Sequence, residues 1–278
     1  MTEFEDYSRR LAAIAAEATQ LVADDLLAAF RGPMAVAYKR DDHDPVTEHD
    51  RRAEEKIVDH LLAAVPGSVL VGEEGGLRGE PDADAVTWYV DPIDGTANFA
   101  RGLDHFATSI GCVLNGQVVA AAILTPSLGR NLFTADLQGA YLNGDPLQTT
   151  GFAEESKALM ISSYPSANRG EDPAGFARLV AAYGTVRRTG SAAVSLAHVA
   201  AGWADAALGT TVHPWDVCAA LLLVQQAGGR YRPLWLGEPE GNLWEAPGYL
   251  ATVGSLDARA AEQLADELET TAMAGVTA

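Results

Sequence analysis

Positive charge is what this chain has least of. Its 278 residues carry 19 Lys and Arg against 38 Asp and Glu, a formal net charge of -19. Binding to nucleic acid needs clustered cations that displace counterions, so a general attraction of that kind is excluded. Cysteine is scarcer still. Cys112 and Cys218 are the only two, and one pair cannot build a disulfide framework in a chain this long, so both are expected reduced and buried. Long apolar runs are missing too: the longest, Val217 to Val224, falls far short of the ~20 residues that a membrane span needs. The opening residues, Met1-Thr2-Glu3-Phe4-Glu5-Asp6, are acidic where a secretory signal is basic and then apolar. A cytoplasmic location with no membrane attachment is the expectation.

What is present suffices for a large core, since 48% of the residues are hydrophobic and 21% charged. From Phe4 to Phe30 apolar residues recur at helical spacing (Leu11, Ile14, Ala15, Ala18, Leu21, Val22, Leu26) until Gly32-Pro33 stops them. A second helix is expected from Glu48 to Ala64, with Ala53, Ile57, Leu61 and Leu62 facing inward. Short β-type runs follow at Val69 to Val71, Thr87 to Val90, Ala107 to Leu114 and Val118 to Leu124, with hairpin turns at Asn115-Gly116 and Asn143-Gly144.

The C-terminal half alternates. Strands are expected near 158–162, 185–188, 204–208, 229–233 and 250–253, and helices near 173–182, 191–201, 215–227 and 256–269, with a frayed tail from Thr270. The fold class is mixed α and β in two layered halves, 1–150 and 151–278. No repeat or charged linker parts them, so they are read as one catalytic unit meeting at a cleft.

An acidic protein that handles a phosphate must gather cations locally, which directs attention to grouped carboxylates. The run Thr87 to Val90 leads straight into Asp91-Pro92-Ile93-Asp94-Gly95-Thr96, placing two carboxylates at a strand's carboxyl end before a glycine. Pro92 fixes φ and Gly95 permits close backbone approach, so Asp91, the Ile93 carbonyl and Asp94 can face one point as hard oxygen ligands. The amides after Gly95 can then receive a phosphate oxygen.

The same residues also compose an ordinary turn. Likewise Gly72-Glu73-Glu74-Gly75-Gly76 reads as a solvated loop, and Asp216 as a first-turn acid on a helix dipole. What sets the three apart is that each begins or ends an apolar element, which suits convergence at the edge of a core.

These stretches resemble the inositol monophosphatase family of Mg²⁺-dependent, lithium-sensitive phosphatases. The match runs through Gly72-Glu73-Glu74, then Trp88 to Phe99, then Trp215-Asp216-Val217-Cys218 up to Gly228-Gly229. Weaker matches stand at Asp44 to Asp50 and at Gly190-Ser191-Ala192-Ala193. The resemblance implies a layered αβαβα sandwich of the inositol monophosphatase / fructose-1,6-bisphosphatase type, working as a homodimer.

It also implies two or three Mg²⁺ ions per site. Glu73, Asp91, the Ile93 carbonyl and Asp94 would share a first ion, and Asp91, Asp94 and Asp216 a second. Glu74 would sit beside them. Thr96, paired with Asp50, would orient the attacking water, and the backbone of Gly95 and Thr96 would hold the phosphate. Lys39 falls where the family has a loop closing over the metals, although by sequence alone it reads as exposed. Asp50 has a reading of its own, because Thr47-x-x-Asp50 at a helix start is close to a capping box.

Inositol-specific members carry a glutamate seven residues before the second-metal aspartate, and this chain has Gly209 there. Ala97 departs in the same way, where the family commonly shows Thr or Lys. Glycine cannot hydrogen-bond ring hydroxyls, so a pocket wider than that for inositol phosphate is expected, lined by Gly190, Ser191, Ala192 and Gly209. Histidinol phosphate, fructose 1,6-bisphosphate and 3′-phosphoadenosine 5′-phosphate stay open as substrates, as does a regulatory protein that keeps the fold without catalysis. His105, His198 and His213 have no partner at zinc-ligand spacing. A kinase is set aside because no phosphate-cradling Gly-x-x-x-x-Gly-Lys loop occurs.

Overall fold

The apolar stripe at the N-terminus becomes a helix over Glu3–Ala29 in a computed structural model of the chain, which describes residues 2–39, 45–80, 85–166, 169 and 171–276. Thr2 and Glu5 close a capping box at its start, and Leu11, Ala15, Ala18, Val22 and Leu26 lie buried along one face. Leu21, expected on that face, is half exposed.

In chain order this helix, α1, is followed by β1 (Val36–Tyr38), β2 (Pro45–Thr47), α2 (Glu48–Ala64), β3 (Val69–Gly72), β4 (Gly76–Arg78), β5 (Thr87–Asp94) and the short α3 (Thr96–Arg101). An antiparallel run comes next: β6 (Ala107–Leu114), β7 (Gln117–Thr125), β8 (Asn131–Asp136), β9 (Gly139–Leu142) and β10 (Asp145–Leu147). Then β11 (Leu159–Ser162), α4 (Ala174–Ala182), β12 (Thr185–Arg187), α5 (Ala192–Ala200), β13 (Ala206–Gly209) and α6 (Pro214–Gln226) alternate. The described chain closes with β14 (Arg230–Leu234), β15 (Gly248–Thr252) and α7 (Arg259–Val276).

Among the described residues an eight-stranded sheet has the order β10-β9-β8-β7-β6-β5-β3-β4, and a five-stranded sheet the order β12-β11-β13-β15-β14. Helices α1 and α2 cover the outer face of the larger sheet, packing on β5 to β8. Helices α5 and α6 fill the space between the sheets, with α6 touching β5 to β9 on one side and β14 on the other. Helices α4 and α7 cover the smaller sheet at β12 and β15. The five layers are the αβαβα sandwich that the resemblance implies.

Burial explains the sequence character of the middle layer. Val217 to Val224 on α6 are all buried, because that helix is enclosed on both sides and has no polar face to spare. At the hairpin between β6 and β7, Asn115 (φ 53°) and Gly116 (φ 69°) both adopt left-handed backbone, as a two-residue turn of this twist requires.

Two expectations need correction, and several short elements were not foreseen. The strand expected to stop at Val90 continues to Asp94. The tail expected to fray from Thr270 is helical to Val276, because Leu264 and Ala265 anchor α7 to the core upstream of it. Strands β1, β2, β4 and β8 and helix α3 had no clear periodic signal, being three to six residues long. Asp44, part of one weak match, lies outside the described residues. No described helix is long and apolar enough to cross a membrane.

Candidate metal centre

One parallel pairing positions the acids. The large sheet is antiparallel except where β3 lies beside β5, so those two strands end on the same side. Glu73 therefore leaves β3 next to Val90, to whose carbonyl its amide donates at 3.1 Å.

Strand β5 pairs Asp91 with Ser109 and Asp94 with Ala107, and its register shifts between them. In a regular strand residues three apart point to opposite faces. The bulge absorbs the odd residue and re-aims the side chains, so both carboxylates reach one place. The turn chemistry foreseen for Asp-Pro-x-Asp is present inside the strand, since Ile93 N donates to Asp91 Oδ1 at 2.9 Å. Gly95 follows with φ 96° as the N-cap of α3, and a Cβ there would lie 2.9 Å from the His105 carbonyl oxygen. Glycine is required on both counts.

Asp94 is gripped by the start of α5. Ser191 Oγ donates to Asp94 Oδ2 at 2.6 Å and Ala193 N to the same oxygen at 2.5 Å, while Ala192 N reaches Oδ1 at 3.4 Å. Of the Gly190-Ser191-Ala192 segment, expected to line the alcohol pocket, Ser191 and Ala192 direct polar atoms at this carboxylate. Asp216 sits in the first turn of α6, where His213 N donates to its Oδ2 at 2.7 Å. Its capping role and its place in the cluster coexist.

Together Asp91, Asp94 and Asp216 each offer a carboxylate oxygen within 4.8 Å of the other two. Burial pushes the Asp91 carboxyl well above the usual range, and the charges of Glu73, Asp94 and Asp216 add to the shift. Burial likewise raises Asp216, with the Asp94 charge next in importance. Asp94 rises only to about 6, because Ser191 and the Ala193 amide offset part of what burial does.

Among the described residues no Lys or Arg pairs with the trio. Lys39 Nζ pairs with Glu73 Oε1 at 2.9 Å and with Glu74. Burial by itself would lower the Lys39 ammonium, but the Glu73 charge and hydrogen bonds to both glutamates raise it. Glu73 stands beside the trio rather than within it, close enough for its charge to raise Asp91, Asp94 and Asp216. Three like charges this close, with oxygen donors only, are a set that a hard divalent cation relieves, so the cluster fits a metal ion.

Asp50 caps α2 as expected and is paired with Thr96. Its Oδ2 accepts from Thr47 N at 2.8 Å and from Thr47 Oγ1 at 2.6 Å, while its Oδ1 lies 3.0 Å from Thr96 Oγ1. The side chain is fully buried, which raises its carboxyl against the lowering effect of those bonds.

The opening expected at Gly209 is absent. A Cβ on Gly209 would lie 2.6 Å from Tyr249 Cε1, so the Tyr249 ring already fills that space. Burial, then the charges of Asp94 and Asp216, raise the Tyr249 phenol, which places it toward the cluster. Nothing in local sequence pointed to Tyr249, and Asn98, inside the matched stretch Trp88 to Phe99, was given no role there; its Nδ2 ties the carbonyls of His105 (2.6 Å) and Thr189 (2.7 Å). Both act across long sequence separations. His105 and His198 do approach, ring centroids 6.4 Å apart, but the Asp trio is the group among the described residues whose ligand atoms converge closely enough to hold a metal ion.

Fold and site together define a five-layered α and β protein with a carboxylate cluster suited to divalent cations at the end of a bulged strand. The chain belongs to the inositol monophosphatase family, whose sequence profile matches residues 8–270. A protein of Pseudomonas aeruginosa named Nus factor SuhB is 38% identical over 197 residues, 69% of this chain and 73% of that one. One of Mesorhizobium japonicum named inositol-1-monophosphatase is 37% identical over 190 residues, 67% of this chain and 71% of that one. The solved structure of a Thermotoga maritima IMPase is similar with a TM-score of 0.79 at 27% identity, covering 92% of this chain and 97% of that one.

Proposed function

We propose that this chain is a Mg²⁺-dependent phosphomonoesterase that hydrolyses a small phosphorylated metabolite, with both halves forming one catalytic unit. The observation that carries the reading is the Asp91, Asp94 and Asp216 trio within 4.8 Å, to which no Lys or Arg is paired among the described residues. Oxygen-only donors suit Mg²⁺. Two or three ions per site are expected, held by Glu73, Asp91, Asp94 and the Ile93 carbonyl on one side and by Asp91, Asp94 and Asp216 on the other.

When bound, the ions supply Lewis-acid charge that polarises the phosphoryl group and acidifies water. The chain's own groups do the orienting. Thr96 Oγ1 lies 3.0 Å from both Asp50 Oδ1 and the Ile93 carbonyl, and its single hydrogen serves one of them at a time. With that hydrogen given to Asp50, the lone pairs of Thr96 are left to accept from a water and aim it at phosphorus. The water oxygen forms the new P–O bond as the ester P–O bond breaks; one of the water's protons ends on the leaving alcohol oxygen and the other stays on the released phosphate. Amides of Gly95 and Thr96 are the donors offered to phosphate oxygens.

At Gly209 the chain presents no side chain and Tyr249 occupies the space, which argues against recognition of polyol hydroxyls there. Histidinol phosphate, fructose 1,6-bisphosphate and 3′-phosphoadenosine 5′-phosphate are the substrates to compare with inositol 1-phosphate. The test is phosphate release from this panel with Mg²⁺, with and without Li⁺. Turnover that needs Mg²⁺ and falls with Li⁺ supports the reading. No turnover on any substrate would favour a regulatory role, the direction in which the name Nus factor points for its relatives.

A homodimer is part of the same proposal. Exposed Leu103 and Trp203 flank a groove of about 500 Å³ that also holds Asp104 and Arg187, an apolar patch with both charge signs, as a self-complementary interface needs. Light scattering on the purified chain checks it.

A further inference from the structure

Glu54 lies on α2 one turn beyond Asp50, on the same buried face, and only 1% of it is exposed. A carboxylate is costly to bury unless its oxygens are satisfied. Both are, and by one loop: Glu74 N donates to Oε2 at 2.9 Å and Gly75 N to Oε1 at 2.6 Å. The loop is wrapped closely around this group. The three atoms nearest a Cβ on Gly72 would all belong to Glu54, Oε2 at 2.6 Å, Cδ at 2.7 Å and Oε1 at 2.9 Å. A Cβ on Gly75 would lie 2.6 Å from both Glu54 Oε1 and Arg78 Nη2. Gly72 therefore makes room for the carboxylate, and Gly75 for the carboxylate and the Arg78 guanidinium together.

Glu73 is the residue caught in the middle. Its own amide is held by Val90, the residue before it is packed on Glu54, and the two after it are bonded to Glu54. We propose that Glu54 is a positioning residue for the metal centre: by accepting the amides of Glu74 and Gly75 it sets the direction in which Glu73 is presented to a cation. Its oxygens are taken by those amides, and it stands outside the Asp91, Asp94 and Asp216 cluster. The proposal rests on the reading of the Asp trio and Glu73 as a cation site. Helix α2 then serves both sides of that site, Asp50 through Thr96 and Glu54 through the Glu73 loop.

The test titrates Mg²⁺ alone into the chelator-stripped, full-length protein by calorimetry and compares Glu54→Gln with wild type. Glutamine keeps one acceptor but turns an NH₂ toward a backbone N–H, so the loop must shift. Partners that orient a ligand from behind typically change metal affinity by about 10–100-fold, and a Kd for Mg²⁺ raised by about tenfold is expected, with turnover at saturating Mg²⁺ near wild type. Ile57→Val, buried on the same helix, is the control: it lowers Tm and leaves the Kd where it was. If Glu54→Gln lowers Tm and leaves the Kd unmoved, Glu54 is structural only and the proposal falls.

A second variant leaves the carboxylate in place and displaces it. Gly72→Ala is expected to weaken Mg²⁺ binding as Glu54→Gln does, and to cost little more when added to Glu54→Ala, where the obstructing group is gone. Equal damage in both backgrounds would overturn the contact on which the proposal depends. Wild type that binds no Mg²⁺ at all would instead sink the cation site itself, and the proposal with it.

Discussion

The two sides of the centre solve the same electrostatic problem differently. On one side Asp91, Asp94 and Asp216 crowd together with no Lys or Arg paired to them among the described residues. On the other, Glu73 and Glu74 already have the Lys39 ammonium. The first side is built on a bulged strand and two helix starts, and the second is a glycine loop wrapped on Glu54. The difference teaches which side must import its cation. Within the chain the trio's charge is met by the Ser191 hydroxyl and the Ala193 amide at Asp94 and by no paired Lys or Arg among the described residues, whereas Glu73 and Glu74 already hold an ammonium.

The strongest way to break this comparison is Asp94→Asn. Loss of one bridging charge is expected to lower kcat by at least about 10³-fold, several kcal/mol of transition-state stabilisation. The metal-free protein should keep its fold and a Tm no lower than wild type, since repulsion is relieved. Wild-type-like turnover would show the trio is not the centre.

Metal removal comes next, read against pH. Asp94 titrates near 6 in the folded chain, raised mainly by burial, and near the ordinary carboxylate value when unfolded. A raised acid binds its proton more tightly in the folded state, so the stability it lends is whole below the unfolded value and is lost as pH climbs through about 6. Chelator-treated protein should therefore lose Tm between pH 5 and 7 relative to Asp94→Asn, and excess Mg²⁺ should restore it at pH 7. A Tm difference flat across that window would contradict the burial argument.

Ser191→Ala sharpens the side of the trio. It removes the N-cap of α5 and a hydrogen bond to Asp94 in one change, and a cost of about 1 kcal/mol is expected from the cap. Thermal melts measure that, and the Mg²⁺ dependence of turnover should shift with it.

The smallest effect is expected on the other side. Lys39→Gln frees Glu73 from a partly exposed ion pair worth at most about 1 kcal/mol, so the half-saturating Mg²⁺ concentration should fall by only about two- to fivefold. A rise instead would mean that Lys39 assists the cation rather than competing with it.

Much of the centre was legible in the sequence because its acids sit at the ends of apolar elements, and such ends are set by local pattern. Asp91 and Asp94 flank a proline and precede a glycine; Asp216 opens an apolar helix; Thr47 and Asp50 spell a cap. The helices over 3–29 and 48–64 were legible for the same reason, a long stripe at one period. What escaped has no local signature. The bulge depends on the partner strand's register, the Asp94 grip on a helix start almost a hundred residues away, and the loss of space at Gly209 on a ring forty residues further on.

By itself, then, the amino-acid order determined the inventory: acidic character, element types and the carboxylates placed where elements end. Tertiary structure alone decided their relations, which acids meet, which keeps an internal cation, and that Glu54 stands behind the glycine loop. The reason is physical. Periodicity and turn chemistry act over a few residues, while charge repulsion, burial and hydrogen bonds across layers exist only once the chain has brought distant segments together.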